Sequence, residues 1–200
     1  MNIRRTLTLE NNLYVIQIKT DTDDFPCYET NVHLVVGKKI IAHLFVYDHV
    51  IDFLDSLLFA ADAAISKKKP YVPCDDIGVA WNNRIYDSTI HNCPPTEHCK
   101  KDEFNLSPSP MWSTPHGISS WLYWSGTEII FEVTKSYPWV FRDPKKNEKY
   151  YSYEEFLKNY KPIFKETISQ QTAQEWFEKA LSWYPDPDLI PEQFKNTLRV

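Results

Sequence analysis

Glycine is scarce in this chain: four residues in 200, at Gly37, Gly78, Gly117 and Gly126. Average usage of about 7 % would place roughly 14 in a chain this long. No two of the four are close enough to build a Walker or dinucleotide loop, whose tight turns and close backbone approach to phosphate need clustered glycines. Cysteine is nearly as sparse. Cys27, Cys74, Cys93 and Cys99 are too few and too scattered for a disulfide-stapled scaffold, so reduced thiols in a cytoplasm are expected. No run approaches the roughly 18 apolar residues of a membrane span, and Met1-Asn-Ile-Arg-Arg5 lacks the apolar core of a signal peptide. Basic charge is thin as well, with 22 Lys and Arg against 27 Asp and Glu and a net charge of −5. The longest basic run is Lys67-Lys68-Lys69, with Lys145-Lys146 a shorter one, and no basic stripe exists to neutralise phosphates. A nucleic-acid partner is therefore disfavoured.

What is abundant is aromatic: 7 Trp, 12 Tyr and 11 Phe, enough for a sizeable core. Residues 3–9 and 13–19 alternate about Asn11-Asn12 and predict a hairpin. Residues 31–36 and 39–47, separated by Gly37-Lys38, predict a second, giving an N-terminal antiparallel sheet of three or four strands. From Asp48 the period turns helical, with Val50, Ile51, Phe53, Leu54, Leu57, Leu58, Ala61 and Ile65 on one face of a helix ending near Ser66. Residues 70–118 are proline-rich and irregular, and about 50 residues without periodicity is long for a compact domain. Short strands are expected inside them, at 77–81 and 84–90. Residues 120–124 and 127–134 alternate through Ser125-Gly126 as a hairpin, and Trp139-Val140-Phe141 is a further candidate strand.

Ser152-Tyr-Glu-Glu155 has the form of a capping box and predicts a helix that stops before Pro162. A last helix over 169–184 carries the apolar stripe Ala173, Trp176, Phe177, Ala180, Leu181 and Tyr184, with a second capping box at Thr172-Ala-Gln-Glu175. Pro185 and Pro187 end it. The expected architecture is a single α+β domain over residues 1–200, with antiparallel sheet covered by helices on one face.

Chemistry-bearing clusters are few. His91, Cys93, His98 and Cys99 lie within nine residues and offer a tetrahedral zinc ligand set, although the H-x-C-x4-H-C spacing matches no standard knuckle. A zinc-binding protein or a hydrolase-type enzyme built on that segment is the alternative reading. G-x-S-x-G and H-E-x-x-H signatures are missing, and no S-x-x-K comes with its partner motifs. Glu128 and Glu132, at even spacing, share one strand face and form a candidate acid–base pair. His33 and His43 alternate within strands and are expected to be packed or surface residues. Trp121 and Tyr123 fall on one strand face, Leu122 and Trp124 on the other. Such a strand is central, or leaves one face to a ligand.

The sharper feature lies on the helix from residue 48. At roughly 100° per residue, Asp48, Asp52, Asp55 and Asp62 fall within about 80° of arc opposite the apolar face, and Phe59 falls in the same arc. Carboxylates around an aromatic make a footprint for a cationic protein partner, the charges steering encounter and the ring anchoring it.

That stripe, the acidic balance and the aromatic region Trp121–Trp139 together resemble the format of bacterial immunity proteins of toxin–immunity pairs, including those of contact-dependent inhibition systems. These are small, cytosolic, acidic, aromatic-rich α+β proteins without catalytic signatures. The resemblance covers the chain as a format and transfers no residue correspondence. It implies a non-enzymatic protein without cofactor that neutralises a cognate toxin domain, often a basic nuclease, by direct binding. The expected contact residues are Asp48, Asp52, Asp55, Phe59 and Asp62.

Overall fold

The computed structural model describes residues 4–11, 14–21, 27–68, 76–90, 110–114, 117–140 and 142–195. The two N-terminal hairpins form as their alternation predicts. Strands β1 (Arg4–Asn11), β2 (Tyr14–Asp21), β3 (Cys27–Val36) and β4 (Lys39–His49) make an antiparallel meander in that order. Leu9 pairs with Ile16, Ile16 with Leu34 and Leu34 with Ala42, and all four are buried. Gly37 and Lys38 both have positive φ, 54° and 74°, as a two-residue turn matched to strand twist requires. Val32 faces Phe45 but His33 faces His43, so Leu44 is an inserted residue, and both Leu44 and Phe45 are buried at this bulge. His33 is itself buried, edge-on to the His43 ring at 4.7 Å.

Helix α1 (Val50–Ile65) follows β4 directly. The strand runs on to His49, so Asp48 belongs to β4 and not to the helix that the wheel included it in. The apolar face is as expected: Phe53, Leu54, Leu57, Leu58 and Ala61 are all buried. Helix α2 (Ile77–Ile90) replaces the two short strands expected at 77–81 and 84–90. Its first turn is held by Asp76, whose carboxylate accepts from the Gly78 amide at 3.2 Å and whose carbonyl accepts from the Ala80 amide at 3.0 Å. Ile77 and Trp81, one turn apart, then face the same neighbour, and this tertiary docking supplies the order that a stretch without clear periodicity did not show.

A second antiparallel sheet follows, β5 (Trp112–Thr114), β6 (Ile118–Trp124), β7 (Ile129–Lys135) and β8 (Phe164–Ile168), again in chain order. β8 lies in a stretch the sequence reading passed over between its two last helices. Trp139-Val140-Phe141 is not a strand: Pro138–Val140 is one turn of 3-10 helix, as expected of proline at a first helical position, and Phe141 lies outside the described residues. Helix α3 (Tyr153–Lys158) starts at the Ser152 capping box, with both reciprocal hydrogen bonds present. Helix α4 (Gln170–Ser182) is capped by Ser169, whose hydroxyl accepts from the Thr172 amide at 2.9 Å. The Thr172 box is therefore not the cap, because the helix already starts at Gln170 and Thr172 lies inside its first turn. A 3-10 turn at Pro187–Leu189 and the short helix α5 (Glu192–Lys195) end the described chain.

One hydrophobic core joins residues from Leu9 to Phe194. It lies between the sheets and the pair α1 and α4. Phe53 stacks on Trp112 at 4.7 Å, and the Trp112 indole donates to the Phe53 carbonyl at 3.2 Å. Trp176 meets Phe131 edge-on at 5.6 Å and donates to the Glu10 carbonyl of β1 at 3.4 Å. The second sheet is covered twice. Leu122, Phe131 and Val133 face the main core, while Trp121, Tyr123 and Ile130 face α2 through Ile77 and Trp81. β6 is thus the central strand that its two apolar faces implied. Among the described residues no helix is long and apolar enough to cross a membrane.

Candidate functional site

Two places concentrate chemistry. The first is the outward face of α1. Asp52, Asp55, Phe59 and Asp62 follow one another at spacings of three or four, so they form one line. Asp52 is exposed, and Phe59 keeps 47 % of its surface in water although α1's other large apolar side chains are buried or partly buried. The other two acids are engaged. Asp55 accepts from the Tyr184 hydroxyl, and Lys68 lies 3.3 Å from the Asp62 carboxylate. Phe59 also rests edge-on against Phe194 of α5, at 5.3 Å. Asp48 precedes the helix, and its side chain lies outside what the structure describes.

Those two contacts tether the C-terminal segment to α1 one turn apart, at Asp55 and at Phe59. The residues between them therefore run beside the acidic stripe, anchored inward by Ile190. They add exposed Asp186, Asp188 and Glu192, and exposed Leu189. Residues 50–65 and 183–194 contain no lysine or arginine. Lys195 closes the run and is paired to Glu192 at 2.9 Å. The acidic, partly apolar face is accordingly wider than one helix. The added residues were legible only as a proline-punctuated tail, because nothing local ties residue 194 to residue 59.

The second place lies under the start of α2. Glu132, at the middle of β7, is 0 % exposed. Its direct cross-strand neighbours are Trp121 on β6 and Lys165 on β8. Lys165 Nζ stands 2.9 Å from Glu132 Oε2 and 3.3 Å from Asp76 Oδ2. The Tyr123 hydroxyl donates to Glu132 Oε2 at 2.9 Å, and the Tyr160 hydroxyl donates to Asp76 Oδ1 at 3.4 Å. Glu132 Oε1 has no hydrogen-bond donor within reach. Two carboxyl groups thus share one ammonium, Glu132 shut from water and Asp76 and Lys165 at the solvent edge.

Burial, followed by the adjoining Asp76 carboxyl, pushes the Glu132 pKa up to about 7 against the pull of Lys165. At Asp76 burial acts upward, but hydrogen bonding with Glu132, the Lys165 charge and the Gly78 amide outweigh it and hold the group below its ordinary value. Lys165 is likewise desolvated, yet the two carboxylates raise it above the usual lysine range. The opposite directions at the two acids make Glu132, and not Asp76, the one that keeps its proton longer as pH rises.

The sequence reading found Glu132 but paired it with Glu128. That pairing is corrected: Glu128 is exposed ahead of β7 and accepts from the Thr167 hydroxyl at 3.3 Å. Glu132 meets Asp76 and Lys165 instead, 56 and 33 positions away in the chain. His91, Cys93, His98 and Cys99 lie outside the described residues. Among the described residues no group of three or more His, Cys, Asp or Glu side chains is placed to hold a metal ion. Comparison with protein-family models, with curated proteins and with solved structures returned no match.

Proposed function

We propose that this protein works by binding another protein, as an immunity protein that neutralises a cognate bacterial toxin in the cytoplasm without catalysis or cofactor. The partner's basic surface docks on the face built from α1 and the C-terminal segment. The observation that carries this reading is Phe59, nearly half exposed in a line of aspartates on a helix whose other large apolar residues are buried or partly buried. One edge of the ring packs on Phe194, and burying the part left in water against a partner yields about 1 kcal/mol or more. Carboxylates around it add steering and reject acidic partners.

The test takes the domain encoded by the neighbouring gene as the candidate toxin, and a neighbour harmless to cells counts against the reading. Co-expression with wild-type protein should protect cells from that domain, and calorimetry should give a one-to-one complex. Phe59→Ala should weaken the complex at least tenfold beyond Phe194→Ala, the control that loosens the same tail and leaves the Phe59 ring in place. Asp52→Lys with Asp62→Lys should weaken it by a similar factor, and more at low salt than at high salt. Undiminished affinity in both variants would remove this surface from the function.

A further inference from the structure

The cluster under α2 plays no part in the acidic face, and it has the parts of a switch. We propose that the docking of α2's first turn on the second sheet is governed by a single proton on Glu132, the protonated form holding the turn down and the ionised form loosening it.

The argument is one of charge and mobility. With the proton in place the cluster holds one carboxylate, Asp76, and one ammonium, Lys165, and its charges balance. Without it, two carboxylates face one ammonium, the Glu132 carboxylate is wholly shut from water, and its Oε1 still has no donor. The charged or titratable groups turned toward Glu132 are Lys165 from β8, Tyr123 from β6, Asp76 at the start of α2, and Tyr160 behind Asp76. On α2 itself Arg84 lies over the Trp81 ring at 5.4 Å, and Asp87 is exposed. The Tyr160 hydroxyl and Lys165 are both raised, so Glu132 is the group that changes.

Relief of that charge has one easy direction. Glu132 is locked between two cross-strand partners in the middle of a sheet. Asp76 sits at a helix end with its side chain 28 % exposed, and it reaches water by lifting the first turn. Gly78 makes the turn sensitive to such a movement: a Cβ there would fall 1.8 Å from the Tyr160 oxygen, so the helix start is seated directly on Tyr160. Farther along, Asn82 is buried, donating to the Lys135 carbonyl at 3.1 Å and accepting from the Tyr137 amide at 2.6 Å. The end of α2 beyond Asn82 is held independently of the proton.

Hydrogen exchange on the intact protein tests this, with rates corrected for intrinsic pH dependence. Protection of the Gly78–Trp81 amides should fall at least tenfold from pH 5.5 to 8.5, while amides of β6 and α1 change less than twofold. In Glu132→Gln, which keeps the shape and removes the charge, that fall should vanish. An equal fall in both proteins, or none in wild type, overturns the proposal. Should the variant not fold, wild type suffices. Carboxyl 13C titration must show Glu132 ionising near neutral pH together with the Gly78–Trp81 amide shifts, and ionisation with the exposed glutamates refutes the switch.

Discussion

Glu132→Gln should change how the stability of the whole protein depends on pH. The native carboxyl has its pKa raised from 4.5 to about 7. Below pH 4.5 it is protonated in both native and unfolded chains, and its favourable contribution is fully present. Between 4.5 and 7 the unfolded chain releases the proton while the native protein keeps it, so stability falls as pH rises; above 7 both are ionised and the curve is flat. The rise corresponds to about 3 kcal/mol at about 1.4 kcal/mol per pH unit, an upper bound because α2 relaxes part of the strain. Asp76 and Glu148 are shifted downward, so their contributions are present above their ordinary values and lost in acid, below this window. Urea unfolding of wild type and variant at pH 5 and pH 8 isolates the Glu132 part. Wild type should lose about 2–3 kcal/mol more than the glutamine variant between the two conditions. Parallel losses would refute the burial argument, because only an acid desolvated in the native state gives the difference.

Three further outcomes follow from local geometry. Lys38 holds a positive φ of 74° beside Gly37, so Lys38→Gly should stabilise the β3–β4 turn by about 0.5–1 kcal/mol, read as a higher urea midpoint at unchanged slope. Trp112 is stacked on Phe53 in the core and hydrogen-bonded to its carbonyl, so Trp112→Ala should cost about 3–5 kcal/mol and lower the melting temperature accordingly. Ser152→Ala removes the cap of α3 and should cost about 1 kcal/mol in the same assay, with Ser152→Asp retaining most of it.

The elements read correctly from sequence are those whose signal is local. The paired strands β1 to β4, the hairpin β6–β7 and the apolar face of α1 each repeat a period over eight or more residues, and the Ser152 box is complete within four. α2 was missed because its residues, Ile-Gly-Val-Ala-Trp-Asn-Asn, carry weak helix propensity, and the sheet beneath them supplies the stability. β8 was missed because Phe-Lys-Glu-Thr-Ile is short and stands between two helices with clear caps. Losing β8 also hid Lys165, and reading α2 as strands hid Asp76, so the Glu132 cluster had two of its three charged members on misread elements. On α1 the difficulty was the reverse. The stripe was visible, but not that Tyr184 and Phe194 come from the far end of the chain to meet it.

That last point decides which substitutions can probe binding. Asp55 looks equivalent to Asp52 on a helical wheel, yet it accepts from the half-buried Tyr184 hydroxyl, and the hydroxyl is held protonated by burial and by that carboxylate. Reversing the charge at Asp55 would leave a buried hydroxyl against an ammonium and release the tail that carries Asp186, Asp188 and Leu189. Lost affinity would then report a loosened tail as readily as a lost contact. Asp52 offers its side chain to water, and Asp62 gives up only an exposed ion pair with Lys68, worth well under 1 kcal/mol. Asp52 and Asp62 are therefore the clean charge probes. Asp55→Asn, which keeps an acceptor for Tyr184 and removes the charge, completes the set: if its affinity falls like that of Asp52→Asn, the stripe acts through charge, and if it alone falls, the tail's position is what the partner reads.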